Sequence, residues 1–250
     1  MDTLEQRRVL VVGGSRGLGL GVVEALAGRG AEVTVVARDA GRLSRLKTRL
    51  GIAAIPGEAT DPAIARSVLL QVRPSVLVLN AGAAPAMVPL HQQTWESFSE
   101  NWNVDVKAAF HWVQAALSLP LGAGSRVLLT SSGAAMGGSP LSGGYAGAKR
   151  MIWFMAGYAN GVARDLGISI RFQALLMRQI VGATDLGRAA AEAYARSKGV
   201  SREVFLAGFG KPLEPSQYGE YVATLLTDWR YEAATALSIH AERGIELLDG

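Results

Sequence analysis

A tyrosine and a lysine stand four residues apart in the segment Tyr145-Ala-Gly-Ala-Lys149, at the start of a long helical pattern. Residues four apart share one face of a helix, so the ammonium would lie about one turn from the phenol. A free phenol, with a reference pKa of about 10, is a poor acid–base group at neutral pH, and a nearby ammonium stabilises its phenolate. The pair therefore predicts proton transfer, although a solvated surface pair has the same spacing.

A glycine-rich turn, residues 13–19, separates the first predicted strand from a helical pattern. Gly13 permits a tight turn, Gly17 lets backbone approach a pyrophosphate, and Gly19 allows close packing of the helix. The N-terminus of that helix adds amide donors. Such glycines also occur in ordinary turns, but in a chain of alternating strands and helices they favour a dinucleotide site. The residues predicted to contact the cofactor here are Gly13, Ser15, Arg16, Gly17, Leu18 and Gly19.

The end of the second predicted strand, Val36-Ala37-Arg38, bears on the choice of cofactor. A carboxylate at this place accepts a bond from a ribose 2′-hydroxyl, whereas an arginine binds a 2′-phosphate. Arg38, together with Arg16 from the glycine turn, therefore predicts NADP. The next residue, Asp39, has two interpretations: it is the ribose-binding acid, or it is the N-cap of the following helix, which we favour.

Two further predicted strands end in polar residues. Ser132 closes one of them, thirteen residues before Tyr145, and Asn80-Ala81-Gly82 follow another. These motifs, the glycine turn, the Tyr–Lys pair and Asn103 in a tryptophan-rich helix together follow the order and spacing of a known family. The chain resembles the short-chain dehydrogenases/reductases (SDR family), closely over about residues 8–175 and loosely beyond them.

The resemblance implies a catalytic site made of Asn103, Ser132, Tyr145 and Lys149. By it, Tyr145 exchanges a proton with the carbonyl or hydroxyl oxygen of the substrate, and Ser132 hydrogen-bonds the same oxygen. Lys149 holds the nicotinamide ribose and stabilises the phenolate, while Asn103 supports a water molecule that links Lys149 to solvent. Tyr145 and Lys149 therefore belong to the predicted cofactor-binding set as well.

The resemblance also implies that Asn80, Ala81 and Gly82 line the path from adenosine to nicotinamide. Glu58 stands where the family usually has an aspartate that contacts adenine. After the sixth predicted strand, residues 173–178 replace the usual Asn-x-x-x-Pro-Gly, and so remove a turn whose backbone usually meets the nicotinamide carboxamide.

The residues around this departure leave alternatives open. The family's threonine falls on Gly182, with Thr184 two residues further along. Arg178 is either a solvated loop charge or an anchor for a phosphate or a substrate acid. The sequence therefore leaves open whether this segment contacts the nicotinamide carboxamide.

Short β-branched runs alternate with helical patterns along the chain, which is typical of βαβ units around a parallel sheet. The runs are apolar throughout, as expected for strands covered on both faces. We predict one α/β domain over residues 1–250, a single doubly wound, Rossmann-type parallel sheet with helices on both faces. The segment 182–213 departs from the alternation and is interpreted as a lid-like insertion. Strands are predicted at 8–12, 32–37, 52–55, 75–79, 125–131, 168–175 and 236–240.

Two helical patterns carry aromatic side chains. One stripe is interpreted as core packing; its residues are Trp95, Phe98, Trp102, Val106, Phe110, Val113 and Leu117. In the helix that begins at Tyr145, Trp153 and Phe154 stand beside Ala156, Gly157 and Gly161, whose small side chains favour close contact with a second helix. We therefore expect a homo-oligomer, a dimer or a tetramer, with packing inside one chain as the alternative.

Composition narrows the classes of function. With 49% hydrophobic and 18% charged residues among 250, the chain buries a large core, which excludes disorder. The lack of cysteine and the scattered positions of three histidines argue against a metal site. The net charge of +4 does not indicate a nucleic-acid partner, and the stripe of Arg42, Arg45 and Arg49 is interpreted as a solvated helix face. With neither a signal peptide nor a membrane-spanning run in the sequence, we expect a cytoplasmic protein without a membrane partner.

These inferences predict an NADPH-dependent oxidoreductase that reduces a carbonyl group to an alcohol. Its small-molecule substrate is predicted to be an apolar ketone or a 3-oxoacyl compound, because the candidate pocket walls are mostly apolar. Those walls are Met136, Leu141, Met177, Ile180, Phe205 and Phe209. Two alternatives stay open: a catalytically silent NADP-binding regulatory or scaffold protein, suggested by the missing Pro-Gly turn, and an NAD-dependent alcohol dehydrogenase.

Overall fold

The structure, a computed structural model, describes residues 3–119 and 121–248. Residues 1, 2, 120, 249 and 250 of the predicted domain lie outside the described residues. The strands are β1 (Arg8–Val12), β2 (Glu32–Ala37), β3 (Ala53–Pro56), β4 (Val76–Leu79), β5 (Ser125–Ser132), β6 (Ile170–Met177), β7 (Ala236–His240) and β8 (Gly244–Leu247). The helices are α1 (Gly17–Ala27), α2 (Ala40–Leu50), α3 (Pro62–Val72), α4 (Trp95–Asn101), α5 (Lys107–Ser118), α6 (Ala134–Gly137), α7 (Tyr145–Asp165), α8 (Asp185–Lys198), α9 (Arg202–Ala207) and α10 (Pro215–Thr227).

All strands belong to one eight-stranded sheet with the order β3-β2-β1-β4-β5-β6-β7-β8. Strands β1 to β7 pair in parallel, and β8 pairs antiparallel to β7. The predicted doubly wound parallel sheet is confirmed. The sequence prediction missed β8, because this short edge strand is only half-buried and lacks the apolar run that marks the other strands.

Alternate residues of each strand point to opposite faces of the sheet, and their side chains pack into two separate cores. In β1, Leu10 and Val12 pack into one core with α3, α5 and α7. Val9 and Val11 pack into the other core with α1, α2 and α10. Burial on both faces explains why the strand sequences are apolar throughout instead of alternating with polar residues.

The strand order reverses beside β1. From β1 the chain moves outward to β2 and β3, and then returns to the other side of β1 as β4. In a sheet of this kind the loops after β1 and β4 separate and leave a crevice at the carboxyl ends of the strands. The glycine turn after β1 and Asn80-Ala81-Gly82 after β4 therefore meet at this crevice.

The segment 182–213 forms α8 and α9 and adds no strand to the sheet. Its own small apolar cluster contains Ala191, Ala195 and Phe205. The hydroxyl of Tyr194 holds α8 against the loop before α7, where it bonds the Ser139 hydroxyl at 2.6 Å. Within residues 3–119 and 121–248, no helix is both long enough and apolar enough to cross a membrane.

The stretch from α4 to α5 presents a different face to the core from the one that the sequence predicted. Three residues of the predicted core stripe are exposed, Trp95 (74%), Trp102 (42%) and Phe110 (48%). The buried face carries Asn101, Asp105 and Trp112 instead. A π-helical turn, Trp102–Val106, joins the two helices at this point. Polar residues are tolerated on the buried face because they find partners there, Lys149 for Asp105 and the Ala83 carbonyl for Asn101.

Candidate active site

A cleft of about 1390 Å³ opens along the carboxyl edge of the sheet. Residues after β1, β2, β4, β5 and β6 line it, together with residues of α8 and α9. Its volume exceeds the range of about 300 to 1,000 Å³ typical of small-ligand pockets, so it has room for an extended ligand beside a second, smaller one.

The glycine turn is shaped by backbone that leaves no space for side chains. Gly13 has φ +85°, and a Cβ at this residue would lie 2.6 Å from the Ala81 nitrogen. A Cβ at Gly19 would overlap the Gly13 carbonyl oxygen. These contacts bring the turn, the start of α1 and the loop after β4 together. Ser15, Arg16, Gly17 and Leu18 line the cleft beside them.

Asn80 joins the two loops at the crevice. Its Nδ2 donates to the Gly13 carbonyl at 3.4 Å, while its Oδ1 is buried and has no hydrogen-bond partner among the described residues. An acceptor left in this state is costly unless a ligand or water satisfies it. Asn80, Ala81 and Gly82 all line the cleft. The glycine turn and this free acceptor fit a dinucleotide with amide and hydroxyl donors.

At the end of β2 the structure decides between the two interpretations of Asp39. Its Oδ1 accepts from the Arg42 backbone nitrogen at 2.9 Å and caps α2. This bond lowers the pKa of Asp39 below its ordinary value. Arg38 is 69% exposed at the cleft wall, and its Nη1 lies 3.7 Å from Glu58 Oε2. Arg38 and Glu58 thus face each other at the cleft wall beyond β2 and β3.

Arg16 reaches across the cleft from the glycine turn. Its Nη1 lies 2.7 Å from Asp185 Oδ2, at the first turn of α8. Thr184 caps α8 by accepting from the Gly187 nitrogen at 3.0 Å, and its methyl group lies beside Gly17. The start of α8 therefore rests on the glycine turn.

The two serines that end β5 have different environments. The Ser131 hydroxyl is fully buried and donates to the Lys149 carbonyl at 2.8 Å, which fixes the first turn of α7. Ser132 is half-buried at the cleft, and its Oγ accepts from the Ala134 nitrogen at 3.2 Å. Only Ser132 keeps its hydroxyl proton available for a ligand.

Tyr145 and Lys149 both line the cleft from the first turns of α7. Lys149 Nζ lies 5.6 Å from the centre of the Tyr145 ring. The Lys149 side chain is 8% exposed, so the two residues are not a solvated surface pair. The Tyr145 hydroxyl has no hydrogen-bond partner among the described residues and stays free to meet a ligand.

The partner of Lys149 is Asp105. Its Oδ2 lies 2.9 Å from Nζ, and the ammonium also donates to the Thr130 carbonyl at 3.4 Å. Burial disfavours the charged ammonium, but the Asp105 carboxylate and the Tyr145 oxygen outweigh this and raise the pKa of Lys149. Lys149 therefore stays protonated in the cleft.

The structure does not bring Asn103 to the site. Its side chain is exposed, and its Nδ2 donates to the Ser99 hydroxyl at 3.3 Å. The predicted position next to Lys149 was wrong, because the prediction took the aromatic stripe of this helix as the buried face. The sequence did contain a signal for Asp105, since Asn101, Asp105 and Trp112 recur at helical spacing.

Where the family usually has a Pro-Gly turn, β6 continues as a strand to Met177. Met177 still pairs with Ser132, and its carbonyl accepts from the Gly133 nitrogen at 2.6 Å. Beyond it, Arg178 is half-buried, lines the cleft and forms no ion pair with a described residue. The buried Gln179, which the sequence did not single out, donates to the Phe209 and Lys211 carbonyls at 2.9 and 2.6 Å.

Most of the predicted pocket walls do line the far end of the cleft, namely Met136, Met177, Ile180, Phe205 and Phe209. Leu141 is the exception, because its side chain is buried outside the cleft and its nitrogen donates to the Tyr194 hydroxyl at 3.3 Å. Tyr194 stacks on Phe205 with ring centres 5.9 Å apart. Lys198 Nζ lies 5.3 Å from the centre of the Phe205 ring.

Comparison with known proteins gives a family for this arrangement. A family profile described as short chain dehydrogenase matches residues 7–195. Cis-2,3-dihydrobiphenyl-2,3-diol dehydrogenase of Paraburkholderia xenovorans (strain LB400) is 31% identical over 181 residues, which cover 67% of this chain and 62% of that protein. The short chain dehydrogenase/reductase AacuD of Aspergillus aculeatus is 32% identical over 152 residues, covering 57% and 54%.

Human L-xylulose reductase is 33% identical over 106 residues, which cover 42% of this chain and 43% of that protein. In each comparison the similar segment spans less than two thirds of the relative's own length. The part of the chain that the family profile matches contains the glycine turn, Ser132, Tyr145 and Lys149. The profile ends within α8.

Proposed function

Because the chain belongs to the short-chain dehydrogenase family, we propose that it is an oxidoreductase that interconverts carbonyl and alcohol groups, and that it works as an NADPH-dependent carbonyl reductase. The proposal rests on one observation: Ser132, Tyr145 and Lys149 line the same cleft as the glycine turn. When bound there, NADPH would supply the hydride that adds to the carbonyl carbon of the substrate.

The chain's own part is to hold the substrate oxygen and to give it a proton. The Ser132 hydroxyl donates a hydrogen bond to this oxygen and polarises the carbonyl. As negative charge develops on the oxygen, the Tyr145 hydroxyl transfers its proton to it, and the Lys149 ammonium stabilises the phenolate that remains. Proton transfer of this kind contributes about 10²- to 10⁴-fold to the rate.

Arg38 supports the choice of NADPH. A guanidinium binds a 2′-phosphate through two charge-assisted bonds and gains little from a hydroxyl. The three arginines at the glycine-turn end of the cleft, Arg16, Arg38 and Arg42, all have carboxylate partners. Of these Arg38 has the longest separation, 3.7 Å to Glu58, against 2.7 Å for Arg16 and Asp185 and 3.2 Å for Arg42 and Asp39. A phosphate therefore competes most easily for Arg38. Asp39 does not compete for the ribose because it caps α2.

The far end of the cleft favours a substrate with an apolar body. Met136, Met177, Ile180, Phe205 and Phe209 line it, which fits an apolar ketone or a 3-oxoacyl compound. Arg178 and Lys198 would attract an acidic group on such a substrate.

Alcohol oxidation is the second candidate, because one relative is named as a diol dehydrogenase. In that direction Tyr145 would accept the proton of the alcohol. The same residues serve both directions, so only rates measured in each direction separate the two.

We further propose that the chain forms a homo-oligomer through α5 and α7. Phe110 on α5, and Phe154, Tyr158 and Val162 on α7, expose apolar surface at helical spacing. The predicted small residue Ala156 is fully buried and belongs to the core, whereas a side chain at Gly157 would meet open space. Light scattering tests this proposal: we expect a dimer or tetramer, and Phe154→Glu should reduce its mass. A monomer at micromolar concentration would contradict it.

Initial rates with NADPH and NADH across ketones, aldehydes and 3-oxoacyl thioesters test the proposed activity. Tyr145→Phe is the matched variant, because it removes only a hydroxyl. We expect its turnover to fall by about 10²-fold or more with nearly unchanged NADPH affinity. Tight NADPH binding without turnover of any carbonyl would favour the silent regulatory protein instead.

A further inference from the structure

The resemblance implied a neutral asparagine near Lys149, but the side chain that reaches the ammonium is a carboxylate. Asp105 and Lys149 are 1% and 8% exposed, and Oδ2 lies 2.9 Å from Nζ. A buried ion pair of this kind carries a large desolvation cost and changes the field at every group nearby. Tyr145 is such a group, because its ring centre lies 5.6 Å from Lys149 Nζ.

The carboxylate is fixed in place by the loop after β4. Asp105 Oδ1 accepts from the Ala83 nitrogen at 2.8 Å and from Asn101 Nδ2 at 3.3 Å. Asn101 also donates to the Ala83 carbonyl at 2.9 Å, which holds this loop against the π-helical turn. Asp105 therefore cannot leave the ammonium without breaking bonds to the wall of the cleft.

The ammonium has three donors, and two of them have partners within the protein. One points to Asp105 and one to the Thr130 carbonyl, at 2.9 and 3.4 Å. The third remains for a cofactor hydroxyl or for water. Lys149 thus keeps a binding role even though Asp105 holds it.

Other charged groups lie on or near the elements packed against α7. Arg126 of β5 is buried on the other face of the sheet, where its Nε bonds Gln173 Oε1 at 2.9 Å. Arg178 lines the same cleft beyond β6. The remaining charged groups of α4, α5 and β6 are exposed, namely Glu96, Glu100, Lys107 and Arg171. The titratable His111 of α5 is half-buried with its ring centre 5.3 Å from that of Phe110, and Arg150 of α7 lies over the Trp153 ring at 4.3 Å. Among the described residues, Asp105 is the carboxylate that pairs with Lys149.

Resting on the proposed function, we propose that Asp105 is a positioning residue that offsets the Lys149 charge, so that Tyr145 keeps its proton to higher pH and the site favours carbonyl reduction. An ammonium alone stabilises a neighbouring phenolate strongly. An ion pair with no net charge acts on the phenolate only as a dipole and stabilises it less.

Asp105→Asn tests the proposal, because it removes the charge at nearly constant shape and keeps an acceptor for the Ala83 nitrogen. The ultraviolet absorbance of phenolate is titrated in this variant and in the wild type. Subtracting the same titration with Tyr145→Phe added isolates the signal of Tyr145. We expect its midpoint to fall by about one pH unit or more in Asp105→Asn. The upper pH limit of carbonyl reduction should fall by the same amount.

Glu100→Gln is the control, since it removes an exposed carboxylate from the same helical stretch, and it should leave the midpoint unchanged. A midpoint that is unchanged or higher in Asp105→Asn would overturn the proposal. If Asp105→Asn does not fold, Asp105→Ser removes the same charge with a smaller side chain. The titration needs no turnover, so it judges this proposal even if no carbonyl is reduced. If turnover depends on Tyr145 but the midpoint does not move in Asp105→Asn, the role proposed for Asp105 is rejected and the proposed function stands.

Discussion

At the cofactor end of the cleft, backbone hydrogen bonds tie the loops to the strands of the sheet, whereas at the far end side chains tie α8 and the segment after α9 to the rest of the chain. The Gly13 nitrogen donates to the Val36 carbonyl at 2.8 Å, and the Asn80 nitrogen donates to the Val12 carbonyl at 2.9 Å. At the far end, Gln179 ties β6 to the segment after α9, and Tyr194 ties α8 to the loop before α7.

This difference explains where the family resemblance is close. The position of a loop that is held by backbone hydrogen bonds follows from the register of the strands. Any sequence with the same apolar pattern reproduces that register. A loop held by side chains depends on particular residues distant in sequence. The far end can therefore change its shape, and with it the substrate, while the cofactor end stays the same. The predictions below test this division, beginning with the residue that serves both ends.

Lys149→Met should give the largest loss. In the proposed mechanism Lys149 stabilises the phenolate and holds the cofactor, so both turnover and NADPH affinity should fall, turnover by about 10²-fold or more. The substitution also leaves Asp105 buried without its counter-ion, which should cost about 3 to 5 kcal/mol in the free energy of unfolding. The double variant, which combines Lys149→Met with Asp105→Asn, should regain most of the stability but none of the activity. Denaturant unfolding and kinetics measure both effects, and unchanged stability in the single variant would contradict the buried pair.

Gly19→Ala should damage the cofactor end through sterics. The added methyl overlaps the Gly13 carbonyl, so we expect a loss of about 1 to 3 kcal/mol in the free energy of unfolding and weaker NADPH binding. Gly182→Ala is the matched change at the far end, where the methyl would meet Leu206 at an ordinary 3.5 Å. It should change stability by less than about 0.5 kcal/mol. Equal effects from the two variants would reject the proposed contrast.

Arg38→Asp should change the cofactor without changing the substrate. The loss of charge-assisted bonds worth about 1.5 to 3 kcal/mol should weaken NADPH binding by roughly 10- to 100-fold, and NADH should bind better than NADPH. Arg66→Asp, an exposed change on α3, serves as the control for charge alone. Fluorescence titrations give the dissociation constants. A wild type that binds NADH as tightly as NADPH would disprove the NADP assignment.

Tyr194→Phe should affect the far end alone. It removes the bonds to the Ser139 hydroxyl and the Leu141 nitrogen, a loss of about 0.5 to 1.5 kcal/mol in the docking of α8. We expect a several-fold higher KM for the carbonyl substrate and an unchanged Kd for NADPH. Tyr231→Phe, outside the cleft, controls for loss of a phenol hydroxyl. A change in NADPH affinity as large as the change in KM would show that the two ends are coupled.

Asp185→Asn should give the smallest effect, at the ion pair that joins the two ends. An exposed pair contributes only about 0 to 1 kcal/mol, so freeing Arg16 should tighten NADPH binding by at most about five-fold. NADH binding should not change, because it has no 2′-phosphate. Calorimetric titration at low and high salt checks this result, since the gain should vanish at high salt. Equal gains in affinity for NADPH and NADH would mean that Arg16 does not bind the 2′-phosphate.

The sequence by itself determined the elements and the parts of the site that follow from them. The apolar runs and helical patterns predicted seven parallel strands in their correct places, because burial on both faces of a sheet requires such runs. The glycine turn, Ser132, Tyr145 and Lys149 stand at the ends or beginnings of those elements. Their meeting in one cleft therefore follows from the parallel sheet.

Only the tertiary structure decided which side chains meet across segments. The helix with Asn103 and Asp105 has an aromatic face and a face of small and polar residues, and periodicity alone favoured burying the aromatic one. The other face is buried because Asn101 and Asp105 find partners on Ala83 and Lys149, which lie elsewhere in the chain. A polar group is stable inside a protein only where another segment brings its partner, and no local pattern contains that information.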